Sequence, residues 1–89
     1  MQGVPAGLDL DEIRDAMSAQ PDVATVHDLH VWALGSKEPI LTAHVLLANE
    51  AVDADAVRHA IATMLHERFD IGHATLQVER RHCGGGLHA

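Results

Sequence analysis

The sequence predicts an α/β protein of the α+β kind, in which two helices cover one face of a three-stranded sheet. Two observations predict this class. A chain of 89 residues has the length of one small domain. Its hydrophobic residues recur with helical spacing in two stretches and alternate as in strands in three, in the order α-β-β-α-β. This order is that of a ferredoxin-like open-faced sandwich without its first strand.

The first helix is predicted over residues 9–19. Asp9 and Glu12 have the spacing of a capping box, in which side chains accept hydrogen bonds from unpaired backbone N–H groups. Its buried stripe is expected to contain Leu10, Ile13 and Met17. Residues 1–7 come before it, with Pro5 between two glycines, so we expect a linker or an artificial extension there.

Two strands are predicted on either side of a loop at residues 35–39, and they should form a hairpin. A register that pairs Ala33 with Leu41 keeps the hydrophobic side chains of both strands on one face. The same register sets His30 opposite His44, with their Cβ atoms about 5 Å apart.

A second helix is predicted over residues 53–69, with Asp53 at its N-cap. One side of this helix is hydrophobic, whereas His59 and His66 lie on the other side, in solvent. The hydrophobic side consists of Val57, Ile61, Met64 and Leu65. A third strand is predicted over residues 73–81.

The folded domain is therefore expected to span residues 8–81, without an internal repeat or a second domain. Residues 82–89 contain three consecutive glycines and are expected to form a flexible tail. No hydrophobic run approaches the roughly 18 residues that a membrane-spanning helix needs. We therefore expect no direct insertion of this stretch into a bilayer.

Composition excludes several classes of function. The formal net charge of −7 disfavours nucleic acid and anionic membrane surfaces as partners. Trp32 and Phe69 are the only aromatic residues, which leaves no platform on which bases could stack. The single cysteine excludes an intrachain disulfide and fits a reducing compartment. The eight histidines outnumber the six lysines and arginines, and imidazole is the commonest metal ligand in proteins.

Strand alternation places several of these histidines on one face of the sheet. The residues expected on the face away from the helices include His30, His44, His73 and Glu79. Imidazole with carboxylate suits zinc, cobalt, nickel or cadmium. His27 is placed by the same alternation on the hydrophobic side, but a bulge near the start of its strand would release it to solvent.

Three short strings give the sequence a recognisable pattern. They are HDLHVW at residues 27–32, AHV at residues 43–45 and HATLQVE at residues 73–79. In this order and with these helices, they resemble the C-terminal cytoplasmic domain of cation diffusion facilitators, especially the bacterial cobalt–zinc–cadmium resistance exporters. The resemblance covers roughly residues 8–81.

The resemblance implies a metallochaperone-like domain that forms a V-shaped homodimer. Its other partner would be the transmembrane domain of the same full-length transporter, a proton-coupled metal exporter of the bacterial inner membrane. The domain itself would lie in the cytoplasm, bind zinc, and stabilise the closed dimer when metal levels rise. The transport site of the family lies in membrane helices, so this stretch alone would not move ions.

The resemblance also implies which residues bind metal. Positions that match His27, His44 and Glu79 contribute zinc ligands in the family, so it favours His27 over His30. Asp55 falls roughly where one relative uses a ligand. Gly72 stands where many relatives carry a histidine before the one matching His73, so the resemblance does not extend to a paired second metal.

The remaining candidate ligands and the alternatives come from the residues themselves. His82 and Cys83 form a possible soft ligand pair in the tail. A single histidine on an exposed strand is more often plain polar surface, so a metal-independent dimerisation module is one alternative. A stand-alone metallochaperone is another, although such proteins usually present paired cysteines and no CxxC occurs here. An enzyme is not expected, because His66-Glu67 lacks the second histidine of HExxH and no phosphate-binding loop opens a helix.

Overall fold

A computed structural model of the chain describes residues 7–33, 39–49 and 51–80. Its elements are α1 (Leu10–Ser18), β1 (Val23–Ala33), β2 (Pro39–Leu47), α2 (Ala54–Phe69) and β3 (His73–Glu79). The predicted order of elements and the three-stranded sheet are confirmed. The predicted linker, apart from Gly7, and the predicted tail lie outside the described residues.

The sheet has the order β1-β2-β3, which the hydrophobic pattern had left open. The central strand β2 pairs antiparallel with β1 and parallel with β3. The hairpin predicted for the first two strands is confirmed. The edge strands of the sheet are β1 and β3. On each face, side chains of β2 therefore lie between those of its two neighbours.

Both helices begin at the aspartates that the sequence predicts as caps. The carboxylate of Asp9 accepts hydrogen bonds from the backbone N–H groups of Asp11 and Glu12. The carboxylate of Asp53 accepts in the same way from the N–H groups at the start of α2. These bonds satisfy N–H groups that have no partner within the helix, and they place carboxylates at the positive end of each helix dipole.

The hydrophobic core lies between the two helices and one face of the sheet. It contains the alternate residues of the strands and the predicted helix stripes except Leu10, which is only partly buried against it. No polar side chain among the described residues is buried with it. The largest fully buried side chains are Ile13, Met17, Leu41, Leu47, Ile61, Leu65, Ile71 and Val45. Helix α1 packs against β1 and α2 packs against β3, so the opposite face of the sheet is left free of helices.

The predicted register of the hairpin is wrong by two residues. Ala33 pairs with Pro39 instead of Leu41, and His30 pairs with Thr42 instead of His44. The hydrophobic pattern could not distinguish these registers, because side chains alternate with a period of two and a two-residue shift returns every side chain to the same face.

Within the described residues, neither helix is long and hydrophobic enough to cross a lipid bilayer.

Candidate metal site

A β-bulge in β1 decides which histidines meet. The register passes from the pair His27–His44 to the pair His30–Thr42, so that Asp28 and Leu29 lie together opposite one residue of β2. Asp28 has a φ of 54°, in the left-handed region. A residue in this conformation at the first bulge position is the hallmark of the G1 class of bulge. The bulge that would release His27 from the hydrophobic face is therefore present.

The bulge places His27 directly across from His44 on the sheet face that carries no helix. Their ring centroids are 5.2 Å apart, with an interplanar angle of 55°. The side chains of His27 and His44 are 48% and 35% exposed, so both can be reached from solution. Two imidazoles from neighbouring strands thus face one open region of solvent.

Glu79 brings a carboxylate from the third strand to the same place. Its Oε2 atom lies 2.8 Å from Nδ1 of His44, which is hydrogen-bond distance. Its Oε1 atom lies 3.9 Å from Nε2 of His27. Because β3 runs parallel to β2 with Glu79 paired to Leu46, the carboxylate reaches back along the sheet toward His44. The three strands therefore contribute one polar side chain each to a single cluster.

Asp28 adds a second carboxylate that the sequence analysis missed. Its Oδ2 atom lies 3.5 Å from Nδ1 of His27, so the two nitrogens of this ring face different carboxylates. One ligand atom each from His27, Asp28 and His44 lies within 4.8 Å of the others. The available signal was an acidic residue between two histidines at a possible bulge, but alternation alone predicted no role for it.

The donor set fits a zinc-type ion. Imidazole nitrogen and carboxylate oxygen are ligands that zinc, cobalt, nickel and cadmium accept, and two acidic groups lie beside the two rings. Zinc bonds of about 2.0–2.1 Å place tetrahedral ligand atoms about 3.4 Å apart. The ligand atoms of His27, Asp28 and His44, which lie within 4.8 Å of one another, are spaced more widely than that. A bound ion would require these partly exposed side chains to rotate toward one another.

His30 lies near this cluster but does not join it. It is exposed and pairs with Thr42, which lies two residues before His44 in β2. With His44, Thr75 and Gln77 it lines an open groove of about 330 Å³ on the same face of the sheet. Asp28 and His44 of the cluster line the same groove, so His30 is a neighbour of the candidate site.

The structure separates His73 and Asp55 from the cluster. His73 begins β3 and Glu79 ends it, so about 20 Å of strand lies between them at about 3.3 Å per residue. Asp55 belongs to the first turn of α2, where it forms an ion pair with Arg58. His82 and Cys83 lie outside the described residues.

Comparison with known proteins shows which family the sequence matches. The family model described as the cytoplasmic domain of cation efflux proteins matches residues 5–81. The metal cation efflux system protein CzcD of Cupriavidus metallidurans is 39% identical over 83 residues, which cover 93% of this chain and 26% of that protein. The zinc transporter ZitB of Escherichia coli is 37% identical over 86 residues, which cover 96% of this chain and 27% of that protein.

A solved structure has the same fold. The metal-bound C-terminal domain of the CzcD transporter from Cupriavidus metallidurans superposes with a TM-score of 0.75 at 41% sequence identity, and the match covers 81% of this chain and 99% of that one. The chain spans about a quarter of the length of the curated relatives CzcD and ZitB. The match to the family model over residues 5–81 covers most of the 89 residues. The chain therefore belongs to the family of cation efflux protein cytoplasmic domains.

Proposed function

We propose that the chain is the metal-sensing domain of a divalent-metal efflux transporter, and that it binds zinc through His27, His44 and Glu79. Asp28 is the nearest further carboxylate. The convergence of side chains from three strands on one exposed face is the observation that carries the proposal. Cobalt, cadmium and nickel accept the same donors.

The bound ion would place positive charge beside the carboxylates of the cluster. Glu79 lies against both histidines, Asp28 lies against His27, and the whole chain carries a formal charge of −7. Its ligands come from β1, β2 and β3, so an ion held by all three ties the two edge strands to the central one. Such binding stabilises the folded state by mass action, by about 2.7 kcal/mol when free zinc is 100 times its dissociation constant.

In this proposal the domain works as part of a larger assembly. We place it on the cytoplasmic side of a bacterial inner membrane, joined to the transmembrane part of the same transporter and paired with a second copy. The matching family and the efflux proteins CzcD and ZitB among its relatives support this assignment. Zinc would then shift the population of paired domains, because it favours the conformation in which its ligands are together.

Thermal unfolding with and without zinc tests the proposal. The stabilisation estimated above corresponds to a rise in the midpoint of about 10–20 °C for a domain of this size. Magnesium at the same concentration is expected to leave the midpoint unchanged, since it prefers octahedral oxygen ligands. An unchanged midpoint at saturating zinc, together with no heat of binding in calorimetry, would refute zinc sensing.

Sedimentation velocity on the same samples separates sensing from its main alternative. We expect zinc to change the proportion or the shape of the dimer. Identical dimer populations and frictional ratios with and without zinc would instead identify a metal-independent dimerisation module.

A further inference from the structure

We propose that Asp28 is a positioning residue of the metal site, and that its left-handed backbone produces the bulge which turns His27 toward His44. The expected effect on zinc binding rests on the proposed function. The effect on the direction of His27 concerns the metal-free protein. Asp28 thus makes two contributions, namely the carboxylate beside His27 and the backbone conformation that sets the direction of His27.

The need for the bulge follows from the buried residues of β1. Leu29 and Val31 are buried and two residues apart, as in a regular strand. Val26 is also buried, yet it lies three residues before Leu29. A regular strand that kept Leu29 in the core would turn His27 into the core as well and expose Val26. One additional residue between them reverses this, and that residue is Asp28.

The conformation of Asp28 depends on its residue type. Its φ of 54° lies where glycine is unstrained, where asparagine and aspartate are tolerated, and where β-branched residues are strongly disfavoured. Its side chain is 66% exposed, so a substitution there removes no core packing. Its carboxylate forms an ion pair with His27. The identity of residue 28 should therefore control the bulge without a direct effect on the core.

Four variants separate the carboxylate from the backbone. Asp28→Asn and Asp28→Gly remove the charge and keep a residue that accepts the left-handed conformation. Asp28→Val removes the charge and also disfavours that conformation. Deletion of residue 28 leaves Val26 and Leu29 two positions apart, so a regular strand then buries both and still directs His27 outward.

The experiment measures register and zinc affinity independently. Cross-strand nuclear Overhauser effects between the backbones of His27 and His44 report the register in metal-free protein. Competition with a chromophoric chelator reports zinc affinity. We expect the cross-strand signals in wild type, Asp28→Asn, Asp28→Gly and the deletion variant, and weaker or displaced signals in Asp28→Val. Zinc affinity of Asp28→Val should be about tenfold below that of Asp28→Gly, which lacks the same carboxylate.

Two results would overturn the inference, and a third would refute only the proposed function. Asp28→Val with the wild-type cross-strand signals and the zinc affinity of Asp28→Gly would show that the backbone of residue 28 does not position His27. Loss of the signals in a folded deletion variant would contradict the alternation argument, and this result would overturn the inference even where Asp28→Val does not fold. Absence of zinc binding by wild type, with the signals behaving as expected, would refute the proposed function and leave the positioning role intact.

Discussion

Replacement of His44 by alanine is expected to lower the zinc affinity of the domain by about 100-fold or more. His44 belongs to the central strand, lies 2.8 Å from Glu79 and faces the ring of His27, so its loss removes an imidazole from the middle of the cluster. Loss of a residue that only supports a ligand typically costs about 10–100-fold in affinity. Loss of a ligand should cost at least as much. Isothermal titration calorimetry or chelator competition measures the change.

His59→Ala is the matched control for this variant. His59 is exposed on α2, in the helical layer on the other side of the sheet. Its removal is expected to leave zinc affinity unchanged, although it deletes the same number of imidazoles. Equal losses in the two variants would mean that zinc binds away from the sheet cluster.

Replacement of Leu65 by alanine is expected to lower the free energy of unfolding of the metal-free domain by about 2–5 kcal/mol. Leu65 is fully buried in the core between α2 and the sheet. Its truncation removes hydrophobic contacts and leaves a cavity that the fully buried neighbours Ile61 and Ile71 can fill only in part. A domain of this size has a total stability of roughly 4–13 kcal/mol, so the loss is a large fraction of it. Urea denaturation measures it.

Thr63→Ala is the control for this effect, because Thr63 is exposed on the same helix. Its change in stability should stay within about 0.5 kcal/mol. Saturating zinc should stabilise Leu65→Ala by the same increment as wild type, since the cluster lies on the other face of the sheet. A Leu65→Ala variant as stable as Thr63→Ala would contradict the assignment of this face of α2 to the core.

The helices and their caps were predictable because their signals are local. Asp9 and Asp53 stand directly before hydrophobic residues with helical spacing, and both accept the N-terminal hydrogen bonds that this position requires. The alternation of hydrophobic residues in β2 likewise identified its buried face without reference to any other strand. Each of these inferences needed only a few consecutive residues.

The meeting of His27 with His44 was harder to predict because it depends on a register and on a bulge. Alternation placed His27 on the buried face, and only the extra residue at Asp28 reverses that. The resemblance to cation diffusion facilitators favoured His27, whereas strand periodicity favoured His30. A residue with positive φ that is not glycine gives no distinct signal in a single sequence, so the carboxylate of Asp28 was also overlooked.

Anomalous diffraction at the zinc absorption edge, from zinc-loaded crystals of the domain, tests the central claim most directly. The account predicts a peak bonded to an imidazole nitrogen of His27, an imidazole nitrogen of His44 and a carboxylate oxygen of Glu79. A zinc peak bonded only to other side chains, such as His59 or His66, would contradict it. So would the absence of a zinc peak between these three residues in crystals saturated with zinc.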